Sequence, residues 1–423
     1  MPLILNFAYV LLLSVLSPWL FVRSLRTGRY RRDVRAKVLG SHFFVKDARL
    51  SIWFHGVSVG EVHLLRQLVK AFRERHPDWR VVVSSTTDTG LAEARKHFAD
   101  LEVIAYPFDF SWAVRRTIRS ISPKLIVLAE SELWPNFLRA ANRLQVPVVV
   151  ANGRMSPRSF RRYAKFAGLA RMIFFNRIRA FGMQSEMYAT NLRKLGVNSV
   201  QVTGNVKYDG VLLDRENSKT AELGRQLGIG EDELVWVAGS THDPEERIVL
   251  SVFSRIRERF PKLRLIVVPR SPERFDEVAQ MIVSAGLTNE RRSRWPAQPT
   301  SPSVILIDTM GELGPAWGLA TIGFTGGSLN DTRGGQSMIE PAAFAVPVLF
   351  GPHTWNFKDA VAGLLECNGA IRVLDEVELE REVVRLLDNP ELRVTMGQAA
   401  RSFVMSQQGA TDRTLDMMDA VFV

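Results

Sequence analysis

The sequence predicts an α/β protein of two doubly wound parallel-sheet domains facing each other across a cleft, preceded by an apolar N-terminal helix. Three observations lead there. From residue 50 onward, short unbroken Val/Ile/Leu runs alternate with longer amphipathic stretches, the pattern of a parallel sheet covered on both faces. The rhythm pauses once, in the polar stretch "DRENSKTAELGRQLGIGEDE", and then restarts. Charge also changes sign near that pause: residues 1–210 hold 33 Lys+Arg against 14 Asp+Glu, whereas the remainder holds 22 against 30.

Taken in order, the first element is residues 3–22, "LILNFAYVLLLSVLSPWLFV", which carry no charge. As a helix they would be roughly 30 Å long, about one hydrocarbon core. Arg23, Arg26, Arg29, Arg31, Arg32, Arg35 and Lys37 follow against a single Asp33. By the positive-inside rule this flank places the body of the protein in the cytoplasm, with 1–24 as a membrane anchor. The pattern leaves open whether the helix spans the bilayer or lies in one leaflet. No basic region precedes it and no small-x-small pattern closes it, so a cleaved signal is not expected.

The first domain, 25–212, is built on "LSIWF", "VVVSS", "LEVIAYP", "KLIVLAE", "VPVVVAN", "AFGMQS" and "VQVTGN". Residues 213–229 read as a linker. The second domain, 230–400, uses "LVWVAGS", "LRLIVVPR", "VILIDT", "ATIGFTGG" and "VPVLFGP", and 401–423 reads as a closing helical segment able to pack on either domain.

Composition removes several classes. The single cysteine, Cys367, excludes an internal disulfide framework and suits a reducing compartment. The seven histidines show no HExxH or comparable ligand spacing, so no protein-bound metal is expected. The net charge of +11 resides in the first half, where nucleic acid, anionic lipid or a phosphorylated substrate could each be the partner. Basic residues interleaved with aromatics in "MSPRSFRRYAKFAGLARMIFFNRIR" fit an anionic membrane surface behind an anchor better than nucleic acid.

In open α/β sheets ligands bind at the carboxyl ends of strands, and the candidate residues cluster after the apolar runs. Glu61, in "HGVSVGEVHLL", opens a helix. As a first-turn acid it would be favoured by the macrodipole; as a general base it would take a proton from an attacking hydroxyl. Glu130 and Glu132 end a buried run, where acids are costly without partners. In "GGSLNDTRGGQSMIEPAA", Gly334-Gly335 can admit backbone close to a ligand, and a helix beginning near Ser337 would offer N–H groups to a phosphate. Glu340, one turn on, suits ribose hydroxyls.

The ordered series "HGVSVGE", "ESELWPN", "NGRMSPRS", "TGNVKYD", "GSTHDPEE", "VPRSPERF", "DTMGEL", "GGSL", "EPAA" and "FGPH" resembles the bacterial CMP-Kdo:lipid A transferases, where Kdo is 3-deoxy-D-manno-oct-2-ulosonic acid. The resemblance implies a GT-B architecture of two Rossmann-like domains, acceptor on the first and nucleotide sugar on the second. It implies an inverting transfer of Kdo from CMP-Kdo to the lipid A precursor, with no cofactor or metal, at the cytoplasmic side of the inner membrane and with no nucleic acid partner. Glu61 matches the family's catalytic base; Glu130 and Lys207 match positions that stabilise the transition state. Pro269, Arg270, Met310, Gly311, Glu312, Ser337, Met338, Ile339 and Glu340 match the CMP-binding elements. One departure is visible: relatives commonly read G-G-H-N where this chain has Gly334-Gly335-Gln336-Ser337, after a loop one residue longer. A membrane-associated GT-B enzyme using a UDP-sugar, and a membrane-tethered nucleic-acid binder, are the alternatives. Nucleotide-specific thermal protection separates the first, and salt-dependent DNA binding without nucleotide binding the second.

Overall fold

The computed structural model describes residues 2–27, 33–41, 47–130, 132–294 and 303–422. The chain forms two compact units, residues 1–210 together with 407–423, and residues 211–406.

The first unit is a seven-stranded sheet of β1 (Ser51–Gly56), β2 (Arg80–Ser85), β3 (Glu102–Ala105), β4 (Leu125–Ala129), β5 (Val148–Gly153), β6 (Ala180–Met183) and β7 (Val200–Val202). Every pairing is parallel and the order is β3-β2-β1-β4-β5-β6-β7. Such strands are covered on both faces, which is why they read as unbroken apolar runs. Along β1 the side chains alternate: Trp53 packs with Tyr106 and Phe137 on one face, Ile52 and Phe54 with Leu65 and Phe72 on the other. The closing helix, Ala410–Phe422, belongs to this unit and buries Ala410, Leu415, Met417 and Met418 in the second of those cores.

The second unit repeats the plan with β8 (Leu234–Thr241), β9 (Leu263–Pro269), β10 (Asn289–Arg291), β11 (Val304–Leu306), β12 (Ile322–Thr325), β13 (Val348–Phe350) and β14 (Ala370–Arg372), in the order β10-β11-β9-β8-β12-β13-β14. Twelve strands coincide with the apolar runs. The other two, β10 and β14, are three-residue edge strands, and "NER" has no apolar residue to betray it. The stretch expected as a linker is partly structured. It contains the helix Ser218–Gln226, whose Leu223 lies with Leu227 in the core of the second unit, and Arg215 donates to the carbonyls of Gly318 and Ala320.

The N-terminal helix runs Pro2–Thr27 with Pro18 inside it. Asn6 fixes its described part to the first unit: its Nδ2 donates to Ser111 Oγ at 2.8 Å, and its Oδ1 accepts from Ser111 N at 3.0 Å and Asn136 Nδ2 at 3.2 Å. Tyr9 donates to Asp109 at 3.0 Å. Leu3, Ile4, Phe7, Leu11 and Val15 remain exposed. Among the described residues no helix is long and apolar enough to cross a membrane.

Candidate active site

Each sheet has a switch point where two neighbouring strands lead off in opposite directions to the next strand, and a doubly wound sheet has its ligand crevice at the carboxyl ends of the strands there. In the first unit those strands are β1 and β4; in the second they are β8 and β12. The segments that follow β1, β4 and β8 hold Glu61, Glu130 and Glu245, whereas Lys207 follows β7, Arg270 follows β9 and Glu312 follows β11.

Glu61 lies in the first turn of the helix Val59–Arg75, directly after β1. Ser58 and Glu61 make a capping box: Ser58 Oγ accepts from the Glu61 amide at 3.4 Å, and the carboxylate reaches back to accept from Val57 N at 2.6 Å and Ser58 Oγ at 3.2 Å. Gly56 has no side chain because a Cβ there would stand 3.1 Å from Glu61 Cβ and from Leu65 Cδ1. Burial pushes the Glu61 carboxyl up to about 7; the Val57 amide opposes this, and the charges of Glu130 and Glu132 add to it. The acid at the mouth of this turn is thus a helix cap whose carboxyl is held near neutral pH.

Glu130 directly follows β4 with φ of 56°, a left-handed conformation that an unbranched acid adopts at some cost. Its amide donates to Ala151 O at 2.9 Å. Asn152, fully buried at the end of β5 and also left-handed, accepts from Val206 N at 3.1 Å through its side chain. That bond sets the short turn Val206–Tyr208, which presents Lys207 at the surface. Asp209, next in the chain, accepts from the amides of Gly409 and Thr411, so the closing helix holds the same turn from the other side. Glu61, Glu130 and Lys207 therefore all stand at the carboxyl ends of strands of one unit.

In the second unit Pro269 ends β9 and is buried, while Arg270 is exposed and its amide donates to Thr241 O at 3.0 Å. Met310 is 70% exposed, Gly311 has φ of 91°, and Glu312 accepts from Arg292 Nε at 3.0 Å and from Thr309 Oγ1. Between Gly326 and Ser337 the chain folds back on itself, Gly335 N donating to Gly327 O at 2.6 Å and Gln336 N to Gly326 O at 3.1 Å. Those two amides are consumed in the turn, and the helix that follows begins at Ile339 instead of near Ser337. Met338 and Ile339 are core residues, 0% and 2% exposed, so only their backbone can face a ligand. Burial raises the Glu340 carboxyl above its ordinary value. Gly334, with φ of 82°, admits Trp355 where a Cβ would meet its ring, and Asn356 bonds the turn through the carbonyls of Gly334 and Arg333.

Sequence reasoning missed the groups that organise this half. Glu245, buried after β8, accepts from four amides: His242 at 3.0 Å, Gly327 at 2.6 Å, Ser328 at 2.8 Å and Leu329 at 2.9 Å. It ties the turns after β8 and β12 together. Beside it, burial first, then the charges of Arg333, Arg270 and Arg274, push the His242 imidazole down to about 4. Arg274 also pairs with the buried Glu246 at 3.3 Å, so its charge is partly offset there, while Arg270 is exposed. The signal was available: His242 and Arg274 sit in quoted motifs, and Arg333 in the lengthened loop.

Two Rossmann-like units in one chain, one with carboxylates and a lysine after its strands and the other with arginines and glycine turns, define the GT-B class of glycosyltransferase fold. A profile described as 3-Deoxy-D-manno-octulosonic-acid transferase (kdotransferase) matches residues 24–210. The 3-deoxy-D-manno-octulosonic acid transferase of Haemophilus influenzae is 32% identical over 98% of this chain and 98% of its own. That of Chlamydophila psittaci is 33% identical over 91% and 90%. A UDP-N-acetylglucosamine 2-epimerase structure from Listeria monocytogenes, 16% identical, superposes with a TM-score of 0.60 over 89% of this chain and 97% of that one, a likeness of fold alone. The chain belongs to the 3-deoxy-D-manno-octulosonic acid transferase family.

Proposed function

We propose that this glycosyltransferase moves Kdo from CMP-Kdo to a sugar hydroxyl of the lipid A precursor, with inversion at the anomeric carbon. The observation that carries the chemistry is the placement of Glu61 and Glu130 after the two strands that flank the switch point of one unit. Glu61 takes the proton of the acceptor hydroxyl as its oxygen bonds to the anomeric carbon, and CMP departs with the electrons of the broken C–O bond. Lys207 offsets the charge growing on the departing phosphate, and Glu130 the positive character of the sugar ring. The arginine group around His242 supports an anionic donor on the second unit. Incubation with CMP-Kdo, generated in situ, and a tetra-acylated lipid A precursor should yield an acceptor heavier by Kdo units. An unchanged acceptor mass beside a turned-over UDP-sugar would overturn the reading.

The reading includes work at the cytoplasmic face of the inner membrane. It is supported by the exposed apolar residues of the N-terminal helix and by a second surface, where exposed Phe166, Leu169 and Met172 stand among exposed Arg161, Arg162, Lys165 and Arg171. Protein lacking residues 1–24 should bind anionic vesicles more weakly than the full chain and lose them as salt rises. Indifference of the truncated protein to anionic vesicles at low salt would assign the basic surface elsewhere.

A further inference from the structure

The motif-free histidines acquire a meaning in space that their spacing in sequence hides. The helix Val59–Arg75 lies against the helix Asp88–His97, and the contact brings His63 of the first beside Glu93 and His97 of the second. Glu93 and His97 share a face because they are four residues apart on one helix. Glu93 Oε1 is 2.7 Å from His97 Nε2 and 3.4 Å from His63 Nε2. The three potential ligand atoms lie within 4.8 Å of one another, and the two imidazole rings are 5.3 Å apart at 60°.

We propose that His63, Glu93 and His97 form a binding site for a divalent transition-metal ion of the zinc type, clipping the two helices together on the surface of the first unit. The donor set is two imidazoles and one carboxylate, a combination that suits zinc and its neighbours better than magnesium or calcium, which favour oxygen. Bonds of about 2.0–2.2 Å to a tetrahedral ion place ligand atoms roughly 3.3 Å apart, so the His63–Glu93 spacing already fits and the His97–Glu93 contact opens by a small rotamer change. At present that contact is a hydrogen bond; the ion would replace its proton. The fourth coordination position has room, because His63 and His97 line a cavity of about 770 Å³. Arg66, Lys70 and Arg73 also line it together with Glu74 and Asp100, Arg73 pairing with Asp100 at 2.7 Å and Lys70 with Glu74 at 3.9 Å, so the charges of the cavity wall largely balance. The site is distinct from the chemistry proposed above and requires nothing of it.

The test is calorimetric titration of the full chain with Zn²⁺ alone, beside thermal unfolding in Zn²⁺ or Mg²⁺. One equivalent of Zn²⁺ should bind at micromolar or tighter affinity and raise the unfolding midpoint, and Mg²⁺ should do neither. His63→Gln, Glu93→Gln and His97→Gln should each weaken the affinity at least about tenfold, given that loss of a mere supporting group costs 10–100-fold. His76→Gln, at the separate His76–Asp419 pair, should leave it unchanged. His63 is half exposed, so its variant keeps the fold and remains informative if the others do not. Absence of stoichiometric Zn²⁺ binding, or binding equal in wild type and His63→Gln, would overturn the proposal.

Discussion

At the scale of the residue, Glu61 caps a helix and, in the function proposed above, also supplies the general base. Glutamine is equally acceptable at the third position of a capping box, so Glu61→Gln keeps the helix start while removing the base. Transfer should fall by roughly two orders of magnitude or more, as for loss of a general base. Nucleotide binding should be unchanged, because the arginine group belongs to the other unit. Near-normal turnover by the glutamine variant would remove Glu61 from the mechanism. His55, six residues earlier, carries a different consequence. It is 1% exposed, stacked on Tyr106 at 3.7 Å, with Nδ1 2.9 Å from Ser84 Oγ. Burial pushes its pKa down from 6.5 to about 3. Its folded value is the lower one, so the unfolded chain takes up the proton first as pH falls. Stability is therefore intact above pH 6.5 and declines toward pH 3, by about 1.4 kcal/mol per pH unit from this group. Asp109, raised by burial to about 6, acts in the opposite sense, so the comparison must be between wild type and variant. His55→Gln should be less stable at pH 7 yet show a shallower acid limb in denaturant midpoints; parallel limbs would refute it.

At the scale of the element, the turns after β8 and β12 depend on a residue that touches no ligand in this reading. Glu245→Ala would leave four buried amides without their acceptor, at about 1–3 kcal/mol for each one left unsatisfied. Water reaching the emptied site would recover part of that, so the expected destabilisation is at least about 3 kcal/mol. It should be confined to the second unit and accompanied by weaker CMP binding. Glu245→Gln retains one acceptor oxygen and should fall between. Equal stability of the alanine variant and wild type would show that the turn is held by its own backbone bonds. The N-terminal end of the helix Pro135–Arg143 is arranged similarly, with Asp109 accepting from Asn136 N at 3.0 Å and Phe137 N at 2.8 Å while it receives the Tyr9 hydroxyl. A carboxylate bound to successive amides is the recurrent device by which this chain ends a loop on a helix or a turn.

At the scale of the whole molecule, the chain crosses between its two units twice, because the last seventeen residues return to the first unit. Removing residues 407–423 takes Ala410, Leu415, Met417 and Met418 from a core shared with Ile52 and Phe54, and leaves Asp209 without Gly409 and Thr411. Each large buried side chain contributes about 1.5–3 kcal/mol, so the deletion should unfold the first unit or lower its midpoint severely. CMP binding by the second unit should persist. Loss of both units together, or of neither, would contradict the division of the chain described here.

The sequence by itself determined the two parallel sheets, because strands buried on both faces must be apolar at every position, and it placed Glu61, Glu130 and Lys207 at strand ends through the order of its motifs. It did not show β10, whose polar residues need only backbone bonds at a sheet edge, nor the start of the helix at Ile339, which depends on amides spent in the preceding turn. Tertiary structure alone decided that Glu245 binds the turns after β8 and β12 and that His63 meets Glu93 and His97. These are contacts between segments remote in the chain. Periodicity reports which face of an element is buried, and only the packing of those faces decides which side chains meet.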